Sequence, residues 1–272
     1  MKTFIINLER SVARREHILG EVTKHNLDFE FIKAVDGAAL SDDEFNRLMD
    51  SEAMKQEPGI LTRGTLGCLL SHLDVFRRIV EEDLDMAFVL EDDAVLPEDI
   101  DEILYDVAAN IAHSEIVLLY FYSFSPCELS ENGAVEIGGK RKLMFPAKID
   151  QPVSSAAYVI TREVANRLLR LELPMKTACD DWGHWYQQGG FDSLRCIYPS
   201  PVSISGAKST IQTFVQSGLR VKITQFIEDH KIPLFSDLLR RARLKDLETK
   251  SAVKFVSKPS PIAAKAAGSQ SV

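Results

Sequence analysis

Five short apolar runs in the first 160 residues have the length and composition of buried strands. Polar or turn-forming residues bound each run, which predicts strands at Thr3–Leu8, Phe29–Val35, Met86–Leu90, Glu115–Phe121 and Ala156–Ile160. Segments with helical spacing separate most of these runs. Strands that alternate with helices are typical of an α/β domain with a largely parallel sheet.

The segments between the predicted strands carry apolar residues three and four positions apart. The longest is Thr65–Glu82, in which six apolar residues share one helical face. Ser41 and Glu44 form a capping-box pattern that begins a helix reaching about Met49. Further helices are predicted at Ser11–Lys24, Arg162–Leu171 and Trp182–Gln188. Residues 123–149, rich in glycine, proline and short alternating runs, predict a loop or hairpin insertion near a site.

Three consecutive acidic residues, Glu91, Asp92 and Asp93, follow the third predicted strand. Neighbouring carboxylates resist desolvation unless a cation neutralises them, and a hard divalent cation that holds substrate phosphates does so. Folds of the α/β class bind ligands at this edge of the sheet. An acidic triplet at a strand end, taken alone, is often only a solvated turn or the start of a helix. The acidic pocket of a phosphoreceiver domain fits less well, because its acids close the first strand.

Charge is distributed unevenly along the 272 residues. Residues 1–204 carry a net charge of −15 and residues 205–272 carry +7. The acidic body has no basic stripe with interleaved aromatic residues, so nucleic acid is not an expected partner. The basic tail favours an anionic surface as its partner. We divide the chain into a body at 1–204, a basic helical extension at 205–258 and a disordered tail at 259–272.

Localisation is predicted from hydropathy and from the cysteines. No apolar run approaches the roughly 20 residues of a membrane span, and the amino terminus is typical of a first strand rather than a signal peptide. The four cysteines are widely spaced and include no C-x-x-C pair, so we expect free thiols in a reducing cytoplasm and no zinc cluster.

The basic extension contains an amphipathic pattern at residues 233–247. Its apolar positions share one helical face, and most of its arginine and lysine residues lie off that face. Two interpretations remain open. The helix either lies on the anionic inner face of the cytoplasmic membrane or packs on the acidic body with its basic face in solvent.

Five segments follow one another in a fixed order: Ile6–Ser11 with Arg14 and Arg15, Ala34–Gly37, Gly64–His72, Leu90–Asp93 and Ser155–Arg162. In this order and spacing the chain resembles glycosyltransferase family 25, the lipooligosaccharide and lipopolysaccharide biosynthesis transferases. The resemblance covers roughly residues 1–200. The chain departs from the family pattern at Thr65, where the family often has an acid, and at Ala178–Trp182, where the family has Pro-x-Asp.

The resemblance implies a GT-A-like, Rossmann-like fold: a mixed, mostly parallel sheet flanked by helices, with a nucleotide-sugar half at about 1–122 and an acceptor half at about 123–204. It further implies a UDP-sugar donor, commonly UDP-galactose, and a divalent metal, Mn²⁺ or Mg²⁺. The implied acceptor is a bacterial surface glycan or glycolipid.

Within that framework we expect Asp93 to be the direct metal ligand. Glu91 is a second candidate ligand, and Glu91 or Asp92 would reach the ribose, the metal or its waters. Contacts to the nucleotide are expected from Asn7, Arg10, Arg14 and Asp36. The arginines are equally compatible with a solvated helix face, and Asp36 with a turn cap.

The acceptor side centres on Asp180 and Asp181, which precede a predicted helix. One carboxylate would be the general base of an inverting transfer and the other a helix cap. Trp182 and Trp185 are expected either to stack on sugars or to pack in the core. His72 is expected to be a satisfied, half-buried residue, and His184 is a weaker candidate metal ligand.

Two other classes of protein remain as alternatives. A nucleotidyltransferase would need a glycine-rich loop after the first strand, and no glycine occurs between Met1 and Arg15. A non-catalytic sugar-nucleotide-binding protein would have no need of five acids at these positions.

Overall fold

The computed structural model describes residues 1–56, 59–171, 173–206, 245 and 252–263. Its strands are β1 (Lys2–Asn7), β2 (Asp28–Lys33), β3 (Met86–Glu91), β4 (Ala94–Val95), β5 (Glu115–Leu118), β6 (Cys127–Ile137), β7 (Arg141–Pro146), β8 (Ala157–Thr161), β9 (Ser193–Tyr198), β10 (Ser203–Ile204) and β11 (Val253–Val256). Its helices are α1 (Val12–Val22), α2 (Asp42–Leu48), α3 (Ser51–Gln56), α4 (Arg63–Glu81), α5 (Ile100–Asn110), α6 (Arg162–Leu171) and α7 (Trp182–Gln187).

Nine of the described strands form one mixed sheet in the order β11-β6-β7-β9-β5-β8-β3-β1-β2. Seven of these nine strands run in the same direction, and β7 and β8 run against them. The prediction of a mixed, mostly parallel sheet flanked by helices is therefore confirmed. The carboxyl ends of β1, β2, β3 and β5 all lie at one edge.

The sheet separates two apolar cores, because neighbouring residues of a strand face opposite sides. Phe4 and Ile6 of β1 pack on the side of α4, α6 and α7, whereas Ile5 packs on the side of α1 and α5. Residues of β3 alternate in the same way. The central strands are buried on both faces, which explains their nearly continuous apolar sequence.

Helix α4 buries the face that its periodicity predicts, including Leu66, Leu69 and Phe76. It begins two residues earlier than expected, because Thr62 is the N-cap. The Thr62 hydroxyl accepts from the Thr65 amide at 3.2 Å, and the Thr65 hydroxyl accepts from the Thr62 amide at 2.7 Å. Thr65 thus closes a capping box, a role that an acid at this position also serves.

The insertion at 123–149 is a hairpin, as one of the two predicted forms: β6 pairs antiparallel with β7. The C-terminal predictions differ from the structure at residues 253–256 and 259–263. Val253–Val256 is strand β11 beside β6 rather than part of a helical extension, because its β-branched and aromatic residues suit a pleated surface. Residues 259–263 of the predicted disordered tail are ordered, and the buried Ser260 hydroxyl donates to the Pro146 carbonyl at 2.6 Å.

The predicted basic helix at 233–247 lies almost wholly outside the described residues. Among the helices that the structure does describe, none has the length and apolar content to cross a membrane.

A buried ion pair joins β5 to β9. Glu115 is fully buried, and its carboxylate accepts from Arg195 Nε at 2.6 Å, Ser193 Oγ at 2.6 Å and the Ala112 amide at 2.7 Å. Arg195 Nη2 also donates to the Asn110 carbonyl at 2.7 Å. The pair therefore fixes the end of α5 against both strands.

We expect Glu115→Gln to lower the free energy of unfolding by about 3–5 kcal/mol, because it leaves the Arg195 guanidinium buried without a counter-charge. Glu163→Gln is the matched control. Glu163 pairs with Arg167 at 2.7 Å but is partly exposed, so its loss should cost less than about 1 kcal/mol. Urea denaturation measures both free energies of unfolding. Equal losses in the two variants would contradict the assignment of Glu115 and Arg195 as a stabilising buried ion pair.

Two glycines allow the turn after β2 to touch α4. A Cβ on Gly67 would lie 2.7 Å from both the Val35 carbonyl oxygen and the Gly37 amide nitrogen, which are backbone atoms. We expect Gly67→Ala to destabilise the fold by about 1–3 kcal/mol through overpacking.

The control for this substitution is Gly20→Ala in α1, where a Cβ meets nothing within 4 Å. Since alanine favours a helix, Gly20→Ala should stabilise by about 0.5–1 kcal/mol. Thermal or urea denaturation compares the two variants. A neutral Gly67→Ala would show that the contact is not close in solution.

Candidate functional site

A cavity of about 220 Å³ opens at the carboxyl edge of the sheet. Its walls come from the segments that follow β1 and β2, from the first turns of α4 and from the acidic triplet after β3. Because β1 lies between β2 and β3, the polar residues that follow these three strands meet in one place.

Asn7 and Arg14 hold the acidic triplet from the β1 side. Asn7 Nδ2 donates to Asp92 Oδ2 at 2.6 Å, and Arg14 Nη2 lies 2.5 Å from Asp92 Oδ1 and 2.9 Å from Asp93 Oδ2. One guanidinium thus bridges two adjacent carboxylates. Burial still raises the pKa of Asp92 above its ordinary value, against the opposing charge of Arg14.

Asp93 has an oxygen that the protein does not satisfy. Within the described part of the chain, its Oδ1 is buried and has no hydrogen-bond partner. Burial, followed by the charge of Glu91, raises the pKa of Asp93 to about 6. A carboxylate oxygen in this state fits a ligand of a hard divalent cation.

Glu91 lies at the end of β3, next to His72 of α4. Its Oε1 accepts from the Ser155 hydroxyl at 2.7 Å and lies 3.7 Å from His72 Nε2. Burial opposes ionisation of Glu91. The contact with His72, together with Ser155 and Arg14, outweighs burial, so the pKa of this carboxyl is lowered. Glu91 is therefore an ionised carboxylate that a cation near Asp93 can share.

Arg10 and Asp36 form a forked ion pair at the cavity wall, with distances of 2.7 and 3.1 Å. The Arg10 hydrogen bond holds the pKa of Asp36 below its ordinary value. Asp36 also caps the short turn Gly37–Ala39 by accepting from the Ala38 amide at 3.1 Å. Both the cap and the position at the cavity are thus present. Arg15 instead stacks on Phe31, with 3.7 Å from its guanidinium carbon to the ring centre.

The two acids before α7 have different surroundings. Asp181 is the N-cap: its Oδ1 accepts from the His184 amide at 3.0 Å, and its Oδ2 accepts from the Thr177 hydroxyl at 2.6 Å. Burial, followed by the charge of Glu91, raises the pKa of Asp180 to about 6. Burial and then Asp180 raise the pKa of Tyr122 to about 12, so these three groups form one electrostatic cluster.

The aromatic residues of α7 pack in the core. Trp182 is 2% exposed and Trp185 is 1% exposed, and Trp182 Nε1 donates to the Ser154 carbonyl at 3.3 Å. Their burial excludes stacking on a sugar and supports the core interpretation. His184 packs edge-on against Trp185, with 4.8 Å between ring centres. His72 is 2% exposed, more buried than expected, and its Nδ1 lies 2.8 Å from the Tyr158 hydroxyl.

Several residues at the site escape the sequence analysis. Tyr120 follows β5, and burial, together with Asp93 and Tyr122, raises its pKa. Arg63 opens α4 at the cavity wall. The described cysteines are free thiols, as expected. Cys68 Sγ and Cys179 Sγ nevertheless lie 3.5 Å apart, although the sequence has no C-x-x-C pair that would predict neighbouring thiols. These residues come from segments that are distant in the chain, so the packing of helices and strands brings them together.

A family model described as glycosyltransferase family 25 (LPS biosynthesis protein) matches residues 1–182. Lipooligosaccharide biosynthesis protein lic2B of Haemophilus influenzae is 26% identical over 234 residues, which is 80% of this chain and 85% of that protein. A putative glycosyltransferase of Haemophilus influenzae is 31% identical over 65% of this chain and 60% of its own length.

Human procollagen galactosyltransferase 2 is 29% identical over 42% of this chain. The match spans 19% of that protein, so the similarity concerns one part of a longer relative. The family model, in contrast, covers well over half of this chain and includes the acidic triplet, both acids before α7 and the turns that form the cavity. This chain therefore belongs to glycosyltransferase family 25.

Proposed function

We propose that this glycosyltransferase is metal-dependent and moves galactose from UDP-galactose to a bacterial lipooligosaccharide, lipopolysaccharide or related surface glycan. Relatives whose names include lipooligosaccharide biosynthesis and procollagen galactosyl transfer support the donor sugar and the acceptor class. The observation that carries metal dependence is Asp93 Oδ1, a buried carboxylate oxygen without a partner among the described residues.

In this proposal Asp93 and Glu91 hold Mn²⁺ or Mg²⁺, and the metal supplies Lewis-acid neutralisation of the departing diphosphate. Asp92 has a different task. Its two oxygens are engaged by Asn7 and Arg14, so it positions the ends of β1 and β3 instead of binding the cation.

The donor nucleotide would occupy the 220 Å³ cavity. Arg10, Arg14 and Arg63 line it with guanidinium groups, whose forked donors match phosphate oxygens. Asp36 stands at the same wall with its carboxylate ionised by Arg10, which suits an acceptor for ribose hydroxyls. Asn7 fixes the neighbouring acid and so acts on the donor through Asp92.

Asp180 is our candidate general base for an inverting transfer. It would take the proton of the acceptor hydroxyl as that oxygen attacks the anomeric carbon. A pKa of about 6 leaves this carboxylate ionised yet basic at neutral pH. Asp181 suits the task less well, because both of its oxygens already accept hydrogen bonds from the start of α7 and from Thr177.

We also retain the proposal that the basic extension at 205–258 places the protein on the inner face of the cytoplasmic membrane. Its support is the sequence charge of +7 over residues 205–272. A lipid-linked acceptor would give that placement a purpose.

We expect Asp93→Asn to reduce metal-stimulated turnover of UDP-galactose by at least about 10²-fold, because it removes ligand charge with little change in volume. Its melting temperature should stay equal or rise, since one of several mutually repelling carboxylates is gone. Donor hydrolysis and transfer are measured over a Mn²⁺ titration. The matched control is Asp101→Asn on α5, which is half exposed.

A wild-type rate in Asp93→Asn would remove Asp93 from the metal site. The same assay with a panel of UDP-sugars tests the donor, and faster turnover of another sugar would exclude galactose. Binding of UDP-galactose without hydrolysis or transfer would favour a non-catalytic sugar-nucleotide-binding protein.

Substitutions at Asp180 and Asp181 should distinguish the general base from the helix cap. We expect Asp180→Asn to lower transfer by about 10²–10⁴-fold with donor binding retained, because it removes the proton acceptor. Asp181→Ala should lower stability by about 0.5–2 kcal/mol through loss of the cap and affect transfer far less. Steady-state transfer rates and denaturation midpoints are compared. The reverse pattern would assign the base to Asp181.

A further inference from the structure

Two thiols and an imidazole meet beside Glu91, at the inner end of the cavity. Cys68 and His72 lie four residues apart on α4, so they project from the same face of the helix. Cys179 approaches from the segment before α7, with its Sγ 3.5 Å from Cys68 Sγ. One ligand atom from each of the three residues lies within 4.8 Å of the other two.

His72 presents an unsatisfied nitrogen here. Its Nδ1 is engaged by the Tyr158 hydroxyl at 2.8 Å, which orients the ring. Its Nε2 is buried and has no hydrogen-bond partner among the residues that the structure describes. Its Nε2 lies 3.7 Å from Glu91 Oε1, beyond hydrogen-bond distance, so it is available to a metal. A histidine whose other nitrogen is held by a neighbour has the arrangement that metal-ligating histidines adopt.

The spacing of the thiols fits a shared metal better than a covalent bond. Two sulfurs bound to one tetrahedral Zn²⁺ at about 2.3 Å lie about 3.8 Å apart, close to the observed 3.5 Å. A disulfide would require about 2.05 Å. Glu91 Oε1 lies 3.7 Å from His72 Nε2, so a carboxylate also adjoins the three residues.

We propose that Cys68, His72 and Cys179 form a second cation site, selective for a borderline-soft divalent ion of the Zn²⁺ class. The metal binds two thiolates and the neutral imidazole of His72, so the thiol protons and the proton that His72 shares with its acidic neighbours are released to solvent. The site differs in chemistry from the oxygen ligands at Asp93, since thiolate and imidazole favour Zn²⁺, and carboxylates favour Mg²⁺ or Mn²⁺.

The cation would fasten α4 to the segment that carries Asp180, the residue directly after Cys179. The site itself stands whatever reaction the protein performs. Its consequence for transfer, the fixed position of Asp180, rests on the proposed function above.

Cobalt provides the test, because Co²⁺ bound to thiolates has an intense charge-transfer absorption and tetrahedral d–d bands. The full chain is reduced with a phosphine, stripped with a chelator and titrated with Co²⁺, then with Zn²⁺. We expect one equivalent with thiolate absorption, which Zn²⁺ displaces. Cys68→Ser and Cys179→Ser should weaken this binding by at least about 10-fold.

Two controls separate this site from other ligands. Cys127→Ala removes a buried thiol of β6 and should keep the spectrum. Asp93→Asn should keep it as well, because its oxygen belongs to the hard-cation site. If the serine variants do not fold, the wild-type protein suffices: Zn²⁺ should protect Cys68 and Cys179 from alkylation and leave the reactivity of Cys127 and Cys196 unchanged, as read by mass spectrometry.

Cobalt binding without thiolate absorption would overturn the proposal, as would full binding in both serine variants. So would the loss of two hydrogens from the reduced protein in air without any metal uptake, which would identify a disulfide pair instead. Mn²⁺-dependent turnover of UDP-galactose, measured on the same samples, reports on the proposed function separately. Failure at the thiols therefore leaves that function standing.

Discussion

Desolvated negative charge at one edge of the sheet is the constraint around which this protein is built. Glu91, Asp92 and Asp93 leave β3 together, and Asp180 lies close enough to Glu91 for its pKa to rise. Arg14 bridges Asp92 and Asp93. Buried like charges oppose one another's ionisation, which is the physical reason for the cation that we propose at this edge. The strand order places β1 beside β3, and this brings Asn7 and Arg14 next to the acidic residues.

Helix α4 organises the opposite wall of the cavity through a series of short-range contacts. The capping box at Thr62 and Thr65 sets where the helix begins. Gly67 lets the turn after β2 approach, and the Ser71 hydroxyl accepts from the Val35 amide at 2.9 Å. The family often has an acid where this chain has Thr65. Because a threonine hydroxyl closes the same box, the departure from the family pattern preserves the local structure.

The sequence predicts most of the fold because period and composition report burial directly. The core strands and α4 are examples, and parallel order alone brings Asp36 near the acidic triplet. The sequence does not show which of Asp180 and Asp181 is the helix cap, because that depends on the residue at which α7 begins. Cys68 and Cys179 are 111 residues apart in sequence, so no local pattern pairs them. The sequence pattern does not predict strand β11, because this strand depends on pairing with β6, which is distant in the chain.

Strand β8 gives the site a second source of side chains. It runs against β3, so its beginning, and not its end, lies at the edge where the acids are. Ser155 therefore reaches Glu91 from upstream of a strand. The segment before β8 is strained. Ser154, which is not a glycine, has a φ of 135°, a backbone conformation that costs roughly 1–3 kcal/mol. Trp182 holds the Ser154 carbonyl from the core. The buried Trp182 thus helps to hold this strained backbone in place, so a change in the packing of α7 would shift Ser155 and, through its hydrogen bond, the Glu91 carboxylate.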